Sequence, residues 1–231
     1  MTTIADNWAA VRARVAAACE RAGRDPSEVT IVAVSKMHPA AAVREAAAAG
    51  ATDFGENYAQ ELAAKRGDCP ADVRWHFIGR LQRNKAKLVA GQVALVHAVD
   101  SVELAAELGK RAAPVVQPIL LAVNVAGEDT KGGIAPVAAE TVARAIAATA
   151  GVRFDGLMTM PPPGLDPVPH FRALAELRTR LADALGTPLA VLSMGMSGDF
   201  EAAIACGSTH VRIGTAIFGI RTPGLEPRAG S

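Results

Sequence analysis

Residues 189–219 read LAVLSMGMSGDFEAAIACGSTHVRIGTAIFG, and the order of patterns within them decides the fold. An apolar run at 189–193 leads through glycines and a serine into an Ala-rich helical pattern at 198–206, and a second apolar run follows at 209–213. Two parallel strands cannot be joined by a tight turn, so apolar run, helix, apolar run is the repeating unit of a parallel sheet. Working back toward the amino terminus, the same unit recurs. Strands are expected at 30–36, 51–54, 73–78, 94–98, 117–124 and 152–158, and these with the two above make eight. Helical patterns lie between them at 39–49, 57–66, 81–90, 101–112, 135–149 and 167–185. Such a count predicts an α/β fold, a single (β/α)8 TIM barrel, with an open doubly wound sheet as the alternative.

An extra amphipathic helix opens the chain at 4–22, where Ile4, Trp8, Val11, Val15 and Cys19 recur at helical spacing. Asp100 with Glu103 resembles a capping box, Ser197 precedes the 198–206 helix, and Gly50, Gly151, Gly186 and Gly207 stand where helix ends are expected. The barrel is expected to occupy 1–221, with a disordered tail over 222–231.

Half of the 231 residues are hydrophobic but only 4% are aromatic, so the core must be built from small aliphatic side chains. The 24 Lys and Arg nearly balance the 23 Asp and Glu, so no global field draws the chain to nucleic acid or an anionic membrane, and any anion site must be local. Cys19, Cys69 and Cys206 are too scattered for a disulfide framework or a metal site, which fits a reducing, cytoplasmic compartment. No signal segment or membrane span is read.

In a closed barrel the reactive groups lie at the carboxyl ends of the strands, and phosphate commonly binds in the loops after strands seven and eight. There Gly195 and Gly198 let backbone approach a ligand, Ser197 offers a hydroxyl at a helix amino terminus, and Gly214 with Thr215 follows the eighth run. Barrel closure sets strand eight beside strand one, whose VAVSK, 32–36, ends on Lys36. An amine beside a phosphate site is what a Schiff-base enzyme or a pyridoxal phosphate carrier requires. Arg212 shares a strand face with Gly214 and is expected to point inward. A cation there beside the pyridine nitrogen would keep the ring unprotonated and weaken it as an electron sink.

Plainer readings stand beside these. Lys36 alone is a solvated strand-end amine, the glycines are turn residues, and Arg212 closes a structural salt bridge. Asn57 in FGENY, 54–58, either meets the cofactor's phenolic oxygen or caps the next helix, and Tyr58 can flank the ring. The polar groups of HFIGRLQRNK, 76–85, read mostly as a solvated helix, and Lys131 as an exposed loop lysine or a second aldehyde site. Met158 and Met160 in GLMTM either line the mouth or pack in the core.

Taken together, VAVSK, FGENY, HFIG with its following LQ and NK, GLM, LSMGMS and VRIGTAIFG run in order from Val32 to Gly219 and closely resemble the pyridoxal phosphate homeostasis proteins. That resemblance implies a fold like the amino-terminal domain of alanine racemase, in a cytosolic, usually monomeric barrel. It implies pyridoxal 5'-phosphate held through Lys36, no clear catalysis, and a role in buffering the cofactor or delivering it to apo-enzymes. It further implies that Ser197, Gly214 and Thr215 hold the phosphate, that Arg212 lies near the ring nitrogen or phosphate and Asn57 near the ring, with Met158 of GLM in the cofactor-binding set. His38 departs from the family, which often has a second lysine there, as do Arg80 and Arg83 at positions more often neutral.

The sharpest rival is a pyridoxal phosphate-dependent racemase. It needs a second acid or base opposite the lysine, which alanine racemase draws as a tyrosine from an appended domain, whereas Tyr58 is the only tyrosine here and belongs to FGENY. Class I aldolases carry their lysine mid-to-late in the barrel order, and a ligand-free interaction module leaves the converging mouth loops unexplained. The expectation is therefore a non-catalytic carrier.

Overall fold

The computed structural model describes residues 2–127 and 132–219, so Lys131 and the expected disordered tail lie outside the described residues. Helix α1, Ile4–Arg21, is capped by a reciprocal Thr3 and Asp6 capping box and buries Trp8, Val11, Val15 and Cys19. The strands are β1 Thr30–Val34, β2 Asp53–Glu56, β3 Arg74–Phe77, β4 Leu95–Val99, β5 Gln117–Ala122, β6 Val152–Met158, β7 Val191–Ser193 and β8 His210–Ile213. They close into one barrel in sequence order, each strand parallel to its neighbours. Closure comes from β8 pairing β1, with Thr30 opposite His210 and Ala33 opposite Ile213. That register sets the end of β1 beside the loop that follows β8.

The connecting helices are α2 Ala40–Ala48, α3 Ala59–Arg66, α4 Val102–Ala112, α5 Ala139–Ala147, α6 Val168–Leu185, α7 Phe200–Ala205 and α8 Thr215–Phe218. Three details differ from the sequence reading. The helix expected at 81–90 is instead a 3-10 segment over Arg83–Leu88, with Leu81, Ala86, Val89 and Ala90 of that stretch buried against the barrel. The cap of α4 is Ser101, whose hydroxyl accepts from the Leu104 amide at 3.3 Å, rather than Asp100. Helix α8, past the last strand, had no sequence signal beyond Gly214. Gly50, Gly186 and Gly207 do follow helices with positive φ, as expected.

Strand alternation sorts side chains into two layers. Ala33, Phe54, Trp75, Phe77, Val96, Ile119, Leu121, Leu157, Leu192, Val211 and Ile213 face outward into the main core beneath the helices. The barrel lumen is divided. One half is apolar, built from Leu95, Ala98, Leu120, Ala122 and Met158. The other half is polar, with Asp53, His76, His97, Ser193 and Arg212 all buried, where barrels ordinarily stack branched aliphatics.

Candidate functional site

Lys36 stands two residues beyond β1, half-buried at the mouth, and the chain on both sides of it is gripped. The Ser35 hydroxyl donates to Glu56 Oε1 at 2.7 Å, and the Ser35 carbonyl accepts from Lys65 Nζ at 2.8 Å. On the other side the Met37 amide donates to Glu61 Oε1 at 2.6 Å, and Met37 itself is held at φ 62. A side chain at positive φ is strained unless its surroundings fix it. Lys65 locks the grip by bridging Glu56 at 2.7 Å and Glu61 at 2.6 Å.

The sequence reading missed this cluster because its members come from β2, α3 and the turn after β1. The available signals were Glu56 inside FGENY and the i, i+4 spacing of Glu61 and Lys65 on one helix. Burial pushes the Glu56 carboxyl up to about 7, while Lys65 and the Ser35 hydroxyl pull it down.

Lys36 faces a cavity of about 350 Å³. Ser197 and Gly198 from the loop after β7, Gly214 and Thr215 after β8, Arg212 from β8, and Asn57 after β2 share its wall with Lys36. Six of the seven predicted cofactor residues therefore converge. Met158, at the end of β6, does not line this cavity: it packs among Leu95, Ala98, Leu120 and Ala122 in the lumen, and half-exposed Met160 lines the cavity instead. Tyr58 is also turned away, onto a neighbouring hollow of about 600 Å³ lined by Gln60, Leu81 and Arg83. His38 reaches the cavity and packs on Phe218 with ring centroids 5.2 Å apart.

The two glycines of the seventh loop play different parts. A Cβ on Gly195, at φ 92, would meet the Cβ of Ala203 at 2.6 Å, so this glycine lets the loop press on α7 and does not open onto a ligand. Gly198 has nothing within 4 Å of such a Cβ and lines the cavity. The Ala216 amide points at Ser197 Oγ at 3.5 Å, tying the seventh and eighth loops together. Gly79, from HFIG, sets Asn57: a Cβ there would fall 2.1 Å from the Asn57 carbonyl oxygen. Asn57 is not the N-cap of α3, a position held by Tyr58, and its buried Oδ1 has no hydrogen-bond partner among the described residues.

Arg212 points inward as expected, but closes no salt bridge among the described residues. Its guanidinium donates to Ser193 Oγ at 2.6 Å and to the Thr159 carbonyl at 3.0 Å, and burial pushes its pKa down to about 10. Of the segment 76–85, His76 lies in β3 and is buried in the lumen, Ile78, Gly79 and Arg80 line the cavity, and Gln82, Arg83 and Lys85 border the neighbouring hollow.

The residues fit pyridoxal phosphate: a half-buried amine, hydroxyls and slim backbone on two adjacent loops, a buried cation, and an amide oxygen lacking a partner. The alanine racemase N-terminal domain family matches residues 6–222. A pyridoxal phosphate homeostasis protein of Pseudomonas aeruginosa is 46% identical over 97% of this chain and 98% of its own length. The protein of that description from Mus musculus is 40% identical over 94% of this chain and 87% of its own. Among solved structures, PipY of Synechococcus elongatus with pyridoxal phosphate bound superposes with a TM-score of 0.82 at 35% identity, covering 94% of this chain and all of that one, 100%. Alanine racemase of Corynebacterium glutamicum, at 19% identity and a TM-score of 0.67, shares the fold and extends well beyond the 64% of its length that matches.

Proposed function

We propose, for a chain that belongs to the pyridoxal phosphate homeostasis proteins within the alanine racemase N-terminal domain family, that it binds pyridoxal 5'-phosphate covalently on Lys36 as a reversible carrier. The observation that carries this reading is the convergence of Lys36, Arg212 and the two mouth loops on one cavity. When bound, the cofactor supplies an aldehyde for an amine to condense with, a phosphate, and an aromatic ring.

The protein's own groups divide the work. Lys36 holds the aldehyde carbon as a Schiff base, its place set by the grip on Ser35 and Met37. Ser197, Gly198, Gly214 and Thr215 bracket the phosphate with hydroxyls and backbone. The Asn57 side-chain amide can donate from Nδ2 to the phenolic oxygen. Arg212 faces the ring nitrogen, and a guanidinium there keeps that nitrogen unprotonated and the ring a poor electron sink. Tyr58 faces another hollow, so it offers no second base across from Lys36. These points support holding and release rather than turnover, by one barrel unit over residues 1–221 acting as a cytoplasmic monomer and passing cofactor to apo-enzymes.

Titration of the purified chain with pyridoxal phosphate tests the reading. The wild type is expected to develop a visible absorbance band that survives dialysis, and Lys36→Ala to develop none. Sustained turnover of alanine or serine by the loaded protein would overturn the carrier reading.

A further inference from the structure

The polar half of the lumen ends on Arg212, and one set of proton positions satisfies every member of it. Arg212 has donors and no acceptor, so Ser193 Oγ accepts from it at 2.6 Å. The single hydroxyl proton of Ser193 then goes to His97 Nδ1, 2.8 Å away. With Nδ1 accepting, His97 carries its proton on Nε2 and donates to His76 Nδ1 at 2.9 Å. His76 donates in turn from Nε2 to Asp53 Oδ1 at 2.8 Å, a carboxylate that also takes hydrogen bonds from Arg74 and Thr52. The donor direction runs unbroken from guanidinium to carboxylate, and both rings are neutral.

The reverse direction fails. A proton on His97 Nδ1 would strand the buried Ser193 hydroxyl without an acceptor, and His76 would need a second proton to keep its bond to Asp53. The surroundings oppose that extra charge. His97 is fully enclosed, and burial with the nearby His76, His210 and Arg212 holds it well below the ordinary histidine value. His210 packs on His76 and His97 with ring centroids 6.0 and 6.1 Å away, and burial with His76 brings it down to about 4. Burial would raise Asp53, but hydrogen bonds from His76, Thr52 and Arg74 outweigh it and bring the carboxyl to about 2.

We propose that His97 and Ser193 are positioning residues for Arg212: the one-way chain turns a Ser193 lone pair onto the guanidinium and, with the Thr159 carbonyl, fixes the plane in which Arg212 meets bound pyridoxal phosphate. The inference rests on the cofactor reading above, but its first test needs no cofactor. In the full chain with 15N-labelled histidine, two-bond 15N–1H spectra at neutral pH are expected to show His76 and His97 as neutral Nε2–H tautomers. An Nδ1–H tautomer or an imidazolium at His97 overturns the chain.

The second test uses variants that divide the ring's two roles. From the same Cβ, Asn reaches the Nδ1 position and keeps an acceptor for Ser193, while Gln reaches the Nε2 position and does not. His97→Gln is expected to bind pyridoxal phosphate about tenfold more weakly and His97→Asn to recover to within about threefold of wild type, since the bond at stake is charge-assisted. Gln binding as tightly as wild type, or Asn as weakly as Gln, overturns the proposal. Ser193→Ala, which leaves both rings in place, is expected to show the same tenfold loss and stands in if the Gln variant does not fold. A wild type that fails to bind at all sinks the cofactor reading instead, and the tautomer result still decides the chain.

Discussion

Replacing Lys65 by Met tests the grip around Lys36 through both the size and the pH dependence of its effect. Lys65 is buried, and its ammonium bridges Glu56, Glu61 and the Ser35 carbonyl at 2.6 to 2.8 Å. Removing one partner of a buried ion pair costs about 3–5 kcal/mol, because the remaining charge is left in a poor solvent. Here that charge can escape by taking up a proton. Burial already pushes the Glu56 carboxyl up to about 7 from 4.5, even with Lys65 pulling it down. A carboxyl whose folded pKa exceeds its unfolded one favours folding below the unfolded value, and that contribution is lost as pH rises through the folded value.

In the wild type the loss from Glu56 is therefore complete a little above pH 7. Without Lys65 the carboxyl titrates higher, so the loss continues past pH 7 at about 1.4 kcal/mol per pH unit. Lys65→Met is expected to cost about 2 kcal/mol at pH 6.5 and about 4 kcal/mol at pH 8.5. Urea unfolding followed by the fluorescence of the buried Trp8 and Trp75 reads both values. A cost under about 1 kcal/mol, or one that does not grow with pH, would refute the reasoning.

Gly79→Ala would drive a Cβ to 2.1 Å from the Asn57 carbonyl oxygen, so it is expected to cost about 2–3 kcal/mol and to weaken cofactor binding, read by thermal melts and absorbance titration together. Unchanged affinity with unchanged stability would show that Gly79 does not set Asn57. Gly195→Ala, at positive φ and against Ala203, is expected to lose about 2 kcal/mol or more, whereas Gly198→Ala stays within about 0.5 kcal/mol of wild type in urea melts, because space is open around it. Equal effects would contradict the different parts given to the two glycines.

The barrel was legible because its strands are short apolar runs with punctuated ends, and because eight of them in register with helices leave few closed arrangements. Lys36, Arg212 and the mouth loops followed from that closure alone, since strand order dictates which strand ends are neighbours. The segment 81–90 buries Leu81, Ala86, Val89 and Ala90 as an α-helix would, and a sequence pattern of that kind does not separate a short 3-10 connector from an α-helix. Of the two places open to Met158, the structure gives the core, because the neighbouring inward positions of β4 and β5, Leu95, Ala98, Leu120 and Ala122, are apolar. The Glu56, Glu61 and Lys65 grip and the His76 to Arg212 chain stayed hidden for a common reason. Each joins side chains from different strands and helices, and a lone buried His or Glu in sequence looks like any other polar residue until its partners are in place.

The most direct measurement of the central claim is covalent capture. The protein loaded with pyridoxal phosphate is reduced with borohydride, digested, and its labelled peptide sequenced by mass spectrometry. The account predicts one stoichiometric phosphopyridoxyl group on Lys36, in the peptide that carries VAVSK. A label on another lysine, or none above the level of an unreactive control protein, would contradict it.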